Sequence, residues 1–270
     1  MPKLSRIVVY PIKSLDGAEV KAAAFGSAGW LCDDRRYAIV DEDGGFLNGK
    51  RTPAIHTVRA VWTLHERTVA LASAGGPPVR FCLETGLPAA AEFLSDHLGM
   101  ACRLMENRDG GFPDDTDAPG PTLISAATLR VIAGWFPGWT LDDARRRLRT
   151  NLEIGAADPA SDGTGGAEPM EEERLVTERG EPGRFRLGDR QWLATGICQR
   201  CVVPARDPET GEPTPGFQKA FARQREATLP AWSPRPRFNH FYRVAINTRL
   251  APGESPGVLH AGDRLTADNW

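Results

Sequence analysis

Two thiols three positions apart, in Cys198-Gln199-Arg200-Cys201, carry the most reactive side chains of the chain. Four uses of such a pair compete. Structural zinc needs four ligands, and no second C-x-x-C or H-x-x-x-H accompanies it, His240 and His260 being distant singletons. A thioredoxin-like redox pair belongs at a strand-to-helix junction, whereas Val202-Val203 reads as a continuing strand. Two inert, buried thiols are the third possibility. The fourth is one thiolate acting as a soft ligand to a metal or cofactor, a donor that suits transition metals, with Arg200 favouring the thiolate if it points at the sulfur. The turn composition of Asp207-Pro208-Glu209-Thr210-Gly211 sets the pair beside a hairpin.

A second cluster joins Lys13 and Ser14, in Tyr10-Pro11-Ile12-Lys13-Ser14, to Arg35, in Asp34-Arg35-Arg36-Tyr37. An ammonium, a hydroxyl and a guanidinium brought together from strand ends make a phosphate clamp, Arg offering a bidentate fork and Lys a point charge. Taken singly, each is an ordinary solvated surface residue. Arg149 and Asn151 alternate on one face of an extended segment, whose plain interpretation is a polar strand face.

The elements that must position these groups are mainly strands in the first half. Residues 6–12, 19–25, 36–41, 57–64, 67–73 and 78–83 are short, rich in Val, Ile, Ala, Phe or Tyr, and separated by Gly, Asp and Pro turns. That spacing predicts an antiparallel barrel or sandwich rather than repeated β-α-β units. No G-x-G-x-x-G or G-x-x-x-x-G-K-[ST] follows a strand, which removes a Rossmann or P-loop nucleotide site. Residues 87–99 carry apolar side chains at helical spacing with Gly99 as a stop, Ser125 is placed to cap a helix to about Ala133, and Thr140 to cap one over 141–148. The Asp, Gly and Pro content of Asn107–Pro121 puts a domain boundary near residue 120, dividing the chain into 1–120 and 121–270. Between Gly155 and Gly183, Gly, Pro, Ala and Glu dominate around Glu171-Glu172-Glu173, which predicts an exposed acidic insertion. Further strands are expected at 184–187, 191–195, 201–205 and 241–247.

The chain has 270 residues, 41% of them hydrophobic, and a net charge of -2, enough to bury a substantial core and too balanced for a global field that would draw nucleic acid or an anionic membrane. The N-terminus lacks the apolar run and cleavage site of a signal peptide, and no stretch reaches the length of a spanning helix. Five sparse cysteines fit reduced thiols, so a cytoplasmic location is expected.

These residues together resemble MOSC-domain proteins. Tyr10–Ser14, Gly29, Asp34–Tyr37, Val40-Asp41, Gly45-Phe46 and Arg51 are similar to the N-terminal β-barrel module of that family. Leu123-Ile124-Ser125, Arg149-Thr150-Asn151-Leu152, Cys198–Cys201, Asp207–Gly211 and Gly257–Asp263 resemble successive motifs of the MOSC domain, in family order. The resemblance implies an α+β chain, mainly β, in which an N-terminal barrel-like module packs on a MOSC β-barrel with a few helices. It is similar in particular to the mitochondrial amidoxime-reducing components and their bacterial counterparts, which implies molybdenum cofactor and the reduction of N-hydroxylated or other N-oxygenated compounds. On that likeness Cys201 would ligate the metal, Lys13, Ser14 and Arg35 would hold the pterin phosphate, and Ser125, Arg149 and Asn151 would contact the cofactor. Cys198 would be structural or support the ligand. Asn48-Gly49-Lys50-Arg51-Thr52 replaces a Thr-Gln-Arg-like segment of the family, so contacts there should differ. The sequence ends at Trp270 without the iron–sulfur domain some relatives append, which implies a separate electron-donor protein. MOSC domains also serve as sulfur carriers, with a cysteine persulfide in place of a metal ligand, and an interaction module with an inert thiol pair is a third alternative.

Overall fold

The computed structural model describes residues 2–155, 168–178 and 180–267. Its strands are β1 Lys3–Val9, β2 Ala18–Val20, β3 Ala22–Phe25, β4 Tyr37–Val40, β5 Arg59–Thr63, β6 Thr68–Ala72, β7 Val79–Cys82, β8 Arg103–Glu106, β9 Leu123–Ser125, β10 Leu152–Gly155, β11 Gly183–Leu187, β12 Arg190–Gln199, β13 Arg243–Leu250, β14 Gly257–His260 and β15 Leu265–Thr266. The helices are α1 Leu87–Leu98, α2 Ala126–Gly134, α3 Leu141–Leu148 and α4 Phe217–Ala227. The fold is α+β and mainly β, as the sequence implied.

An eight-stranded sheet in the order β15-β11-β12-β13-β9-β10-β1-β2 forms the backbone of the molecule. Its β9 and β10 run parallel, and the crossover this requires is made by α2 and α3. Both helices start where the sequence places a cap: the Ser125 hydroxyl accepts from the Thr128 amide, and Thr140 forms a reciprocal capping box with Asp143. Gly99 ends α1 in the left-handed region at φ 67°, where a residue without Cβ carries little penalty. The strands β5, β6 and β7 make a separate sheet, β4 pairs with β8, and β3 pairs with β14. One core lies along the large sheet around Leu123, Trp192 and Ile246, a second under α1 around Ile39, Val69 and Leu94, and a third between the helices around Leu129, Leu148 and Phe221.

The division at residue 120 is not a division between sheets. β1 and β2 are built into the large sheet beside β10, and β3 is paired with β14 near the other end of the chain. Ile7-Val8-Val9 is buried on consecutive positions, which only a strand covered on both faces achieves. The segment over 201–205 also departs from expectation. Pro204 has no amide to offer a ladder, and Val203–Ala205 is a 3-10 turn that follows the end of β12.

The largest correction concerns the acidic run. Residues 156–167 of the expected insertion lie outside the described residues, but Glu171, Glu172 and Glu173 are buried, in a 3-10 turn whose Met170 and Leu175 enter the cores. Glu173 is paired with Arg225 of α4 and accepts from the Ser233 hydroxyl. Glu172 accepts from the Thr128 hydroxyl at 3.0 Å, and the Met170 amide donates to the same hydroxyl oxygen at 2.7 Å. Burial, and next the charge of Glu173, push the Glu172 carboxyl up to about 7. A carboxyl raised in the native state favours the folded protein most below the usual carboxylate range and loses that contribution as pH rises toward the raised value. Wild-type unfolding temperature should therefore fall between about pH 5 and 7, by the equivalent of up to roughly 3 kcal/mol. Glu172→Gln should flatten that slope in thermal scans across this range, and an unchanged slope would remove Glu172 as its source.

Candidate cofactor cleft

Three polar residues enter the cleft from turns that hold unusual backbone. Ser14 at φ 79°, Arg35 at φ 50° and Arg149 at φ 51° all lie in the left-handed region, disfavoured for residues with a Cβ, and all three face one cavity. Strain of this kind persists only where surrounding bonds fix it. The Arg35 amide donates to the Tyr10 carbonyl, Lys13 N donates to Tyr37 O, and the Arg149 amide closes α3 on Arg145 O. The Arg149 guanidinium donates to the Leu15 carbonyl at 2.6 Å and lies 4.2 Å from the Tyr10 ring centroid, which locks its direction.

The cavity is about 530 Å³. Lys13, Ser14, Arg35 and Arg149 line it, and so do Cys198 and Cys201 from the end of β12. The thiols are half-buried and free. Arg200 points at the first of them: its Nη1 is 3.3 Å from Cys198 Sγ, while its Nη2 donates to the Leu148 carbonyl. Burial opposes the Arg200 charge, and the two cysteines more than offset it, so its pKa is raised. The backbone of the thiol loop is tied to the residue that precedes β13, with Arg200 N donating to Tyr242 O at 3.1 Å and the Tyr242 hydroxyl donating to the Cys201 carbonyl at 3.0 Å.

Of the other sequence candidates, Ser125 does not reach this cavity. It is fully buried, and its hydroxyl is spent on the α2 cap and on Thr128, so a cofactor contact is replaced by a structural one. Asn151 is 1% exposed and also lies behind the wall. Its amide nitrogen donates to Val8 O at 3.1 Å and to Asp34 Oδ1 at 3.0 Å, and Asp34 in turn pairs with Arg35. Asn151 thus acts on the cleft through Arg35. Arg149 and Asn151 do not share an extended face, because Arg149 sits in the left-handed turn that closes α3.

Sequence reasoning did not single out Lys50, His56 and Asp114, which also line the cavity. His56 Nε2 donates to Gly49 O, 3.1 Å away, since a carbonyl only accepts. Burial lowers its pKa, so the ring is neutral near pH 7 and leaves Nδ1 as an acceptor. The Ser14 hydroxyl accepts from Gly49 N, fixing the same loop. No local pattern marks these residues: Lys50 and His56 come from one segment and Asp114 from another far along the chain. Across the wall formed by Ser14, His56 and Arg149 lies a second cleft of about 230 Å³, rich in arginines such as Arg145 and Arg59 that are paired with Glu153 and Asp16.

Lys13, Arg35 and Arg149 line the same cavity as two thiols, groups that suit an anion and a soft metal respectively. Among the described residues no group of three or more His, Cys, Asp or Glu converges as a metal cage, so a metal here would bring further donors with it. Residues 1–103 match the sequence family described as the MOSC N-terminal beta barrel domain. It is similar to the molybdenum cofactor sulfurase of Danio rerio, 24% identical over 258 residues that cover 78% of this chain and 29% of the relative, so it spans under a third of that protein's length. Among solved structures it is similar to the YUAD protein from Bacillus subtilis, with a TM-score of 0.41 and 13% identity, covering 98% of this chain and 94% of that one. Among the described residues no helix is long and apolar enough to cross a membrane.

Proposed function

We propose that the cleft binds molybdenum cofactor and that the protein is an oxidoreductase reducing N-hydroxylated or other N-oxygenated small molecules. The observation that carries this is the shared cavity of Lys13, Arg35 and Arg149 with Cys201, residues up to 188 positions apart by number (201 − 13). The donor chemistry fits the group: three cationic side chains suit a phosphate, and a thiolate suits a soft transition metal. When bound, the cofactor supplies two-electron oxygen-atom transfer. The chain's part is to grip and orient. Cys201 would offer the sulfur donor, from a loop whose carbonyl is held by Tyr242. Arg35, braced by Asp34 and Asn151, and Arg149, braced by Leu15 O, would fix the anionic tail. Neutral His56 would present Nδ1 to an N–H donor of the ligand without adding charge. Arg200 would keep Cys198 oriented beside the donor sulfur. A separate protein would deliver the electrons.

A second interpretation, sulfur carriage by a cysteine persulfide, draws on the similarity to a molybdenum cofactor sulfurase and on the direct Arg200 contact that holds the Cys198 sulfur at the cavity. Elemental and sulfur analysis of the purified chain separates the two. Molybdenum near one equivalent with pterin fluorescence after oxidation is expected for the oxidoreductase; cyanolysable sulfur without molybdenum would overturn it in favour of the carrier.

A further inference from the structure

Lys13 does not wait with open donors. Its ammonium donates to Phe112 O at 2.9 Å and lies 3.0 Å from Asp114 Oδ1. The same carboxylate oxygen is 2.9 Å from Lys50 Nζ, so one anion bridges both lysines of the cavity. The Asp114 side chain is 48% exposed while that of Lys13 is 12% exposed, which sets the carboxylate at the mouth and the ammonium deeper. Burial raises the carboxyl and the two lysines more than offset it, holding Asp114 ionised well below the usual carboxylate range.

The flanking chain is anchored and Asp114 is not. Phe112 N donates to Arg35 O, and a Cβ on Gly111, itself at φ 63°, would meet the Arg35 and Asp34 carbonyls at 2.8 Å. The Phe112 ring packs edge-on against Phe46 at 5.7 Å. On the other side Asp115 accepts from the amides of Asp117 and Ala118 and from Asn247. Asp114 makes no other hydrogen bond among the described residues. Rotation of its side chain alone would free both lysines, with no movement of the backbone.

We propose that Asp114 is an internal stand-in for the anionic group this cleft receives, holding Lys13 and Lys50 until a phosphate dianion displaces it. The inference rests on the phosphate clamp of the preceding section and adds its selectivity. A carboxylate bears one charge and bridges the lysines through one oxygen; a phosphate dianion brings more charge and three oxygens, enough for Lys13, Lys50 and Arg35 together. Monoanions offer no such gain and are refused. The competing charge is a device that rejects wrong ligands at the expense of affinity for the right one.

Titration of inorganic phosphate into the purified cofactor-free chain, at low ionic strength and followed by calorimetry, tests this. Asp114→Asn should bind phosphate on the order of tenfold more tightly than wild type, because a bridging carboxylate and its repulsion are both removed. It should also bind acetate, which wild type should not. Asp114→Ser should behave alike should the amide find a new partner. Asp117→Asn removes the same charge away from the lysines and should change phosphate affinity by less than about twofold. Equal or weaker phosphate binding by Asp114→Asn, an equal gain in Asp117→Asn, or no phosphate binding by any variant overturns the stand-in. Molybdenum and pterin in the purified wild-type chain alongside such a result would leave the cofactor function standing.

Discussion

Cys201→Ser should lose both molybdenum and turnover while its unfolding temperature stays near that of wild type. Residues that only support a metal ligand typically cost 10–100-fold when removed, so loss of the donor itself should exceed about 100-fold in turnover of an N-hydroxylated substrate. Cys198→Ser keeps the Arg200 contact partly intact through its hydroxyl and should stay within about tenfold. The two thiols share the cavity, but they are held differently. Arg200 engages the Cys198 sulfur itself, whereas Cys201 is fixed through its backbone carbonyl and its sulfur makes no hydrogen bond among the described residues. Metal content measured beside activity separates the assignments. Full molybdenum in Cys201→Ser, with the loss appearing instead in Cys198→Ser, would transfer the ligand role to residue 198. Under sulfur carriage the same pair of variants would differ in cyanolysable sulfur with no molybdenum in either.

The largest stability effect is expected far from the thiols, at Glu173 and Arg225. Both side chains are 0% exposed, and they form an ion pair to which Ser233 adds a hydrogen bond at 2.7 Å. Arg225 also lies over the Phe238 ring, 5.0 Å from its centroid. Removing one member of such a pair leaves an uncompensated charge in a medium that solvates it poorly. Glu173→Ala should therefore cost about 3–5 kcal/mol. For a chain of this size that corresponds to a fall of roughly 10 °C in Tm. Replacing both residues by apolar ones, Glu173→Leu with Arg225→Met, should recover most of the loss, since well-packed hydrophobic pairs substitute for buried ion pairs at little net cost. A Glu173→Ala protein as stable as wild type would show that the pair contributes nothing. The pair ties the turn at 171–175 to α4, so its loss should also loosen the segment that leads out of the expected insertion.

The elements that formed where the sequence placed them are those governed by neighbours in the chain. Ser125, Thr140 and Gly99 act on amides or carbonyls within a few residues, and the helices begin and end there. The short strands of the first half likewise follow from their Val, Ile, Ala, Phe and Tyr content and the turn residues between them. Where a residue's partner lies far along the chain, local pattern misleads. Glu171-Glu172-Glu173 has the composition of a solvated loop, yet Glu173 meets Arg225 52 positions on and Glu172 meets Thr128 44 positions back. Ser125 shows the same limit from the other side, since its capping role was legible and its distance from the cleft was not.

By itself the sequence determined which chemistry was at hand: two thiols beside an arginine, a Lys-Ser pair at a strand end, an Arg-x-Asn pair, and capped helices to connect them. Only the tertiary structure decided that Arg149 faces the cavity while Asn151 braces Asp34 behind it, and that Lys50, His56 and Asp114 complete the wall. The reason is physical. Caps and periodicity are satisfied over a few residues, whereas the burial of a charge is settled by whichever opposite charge the folded sheet brings within about 3–4 Å, at any separation along the chain.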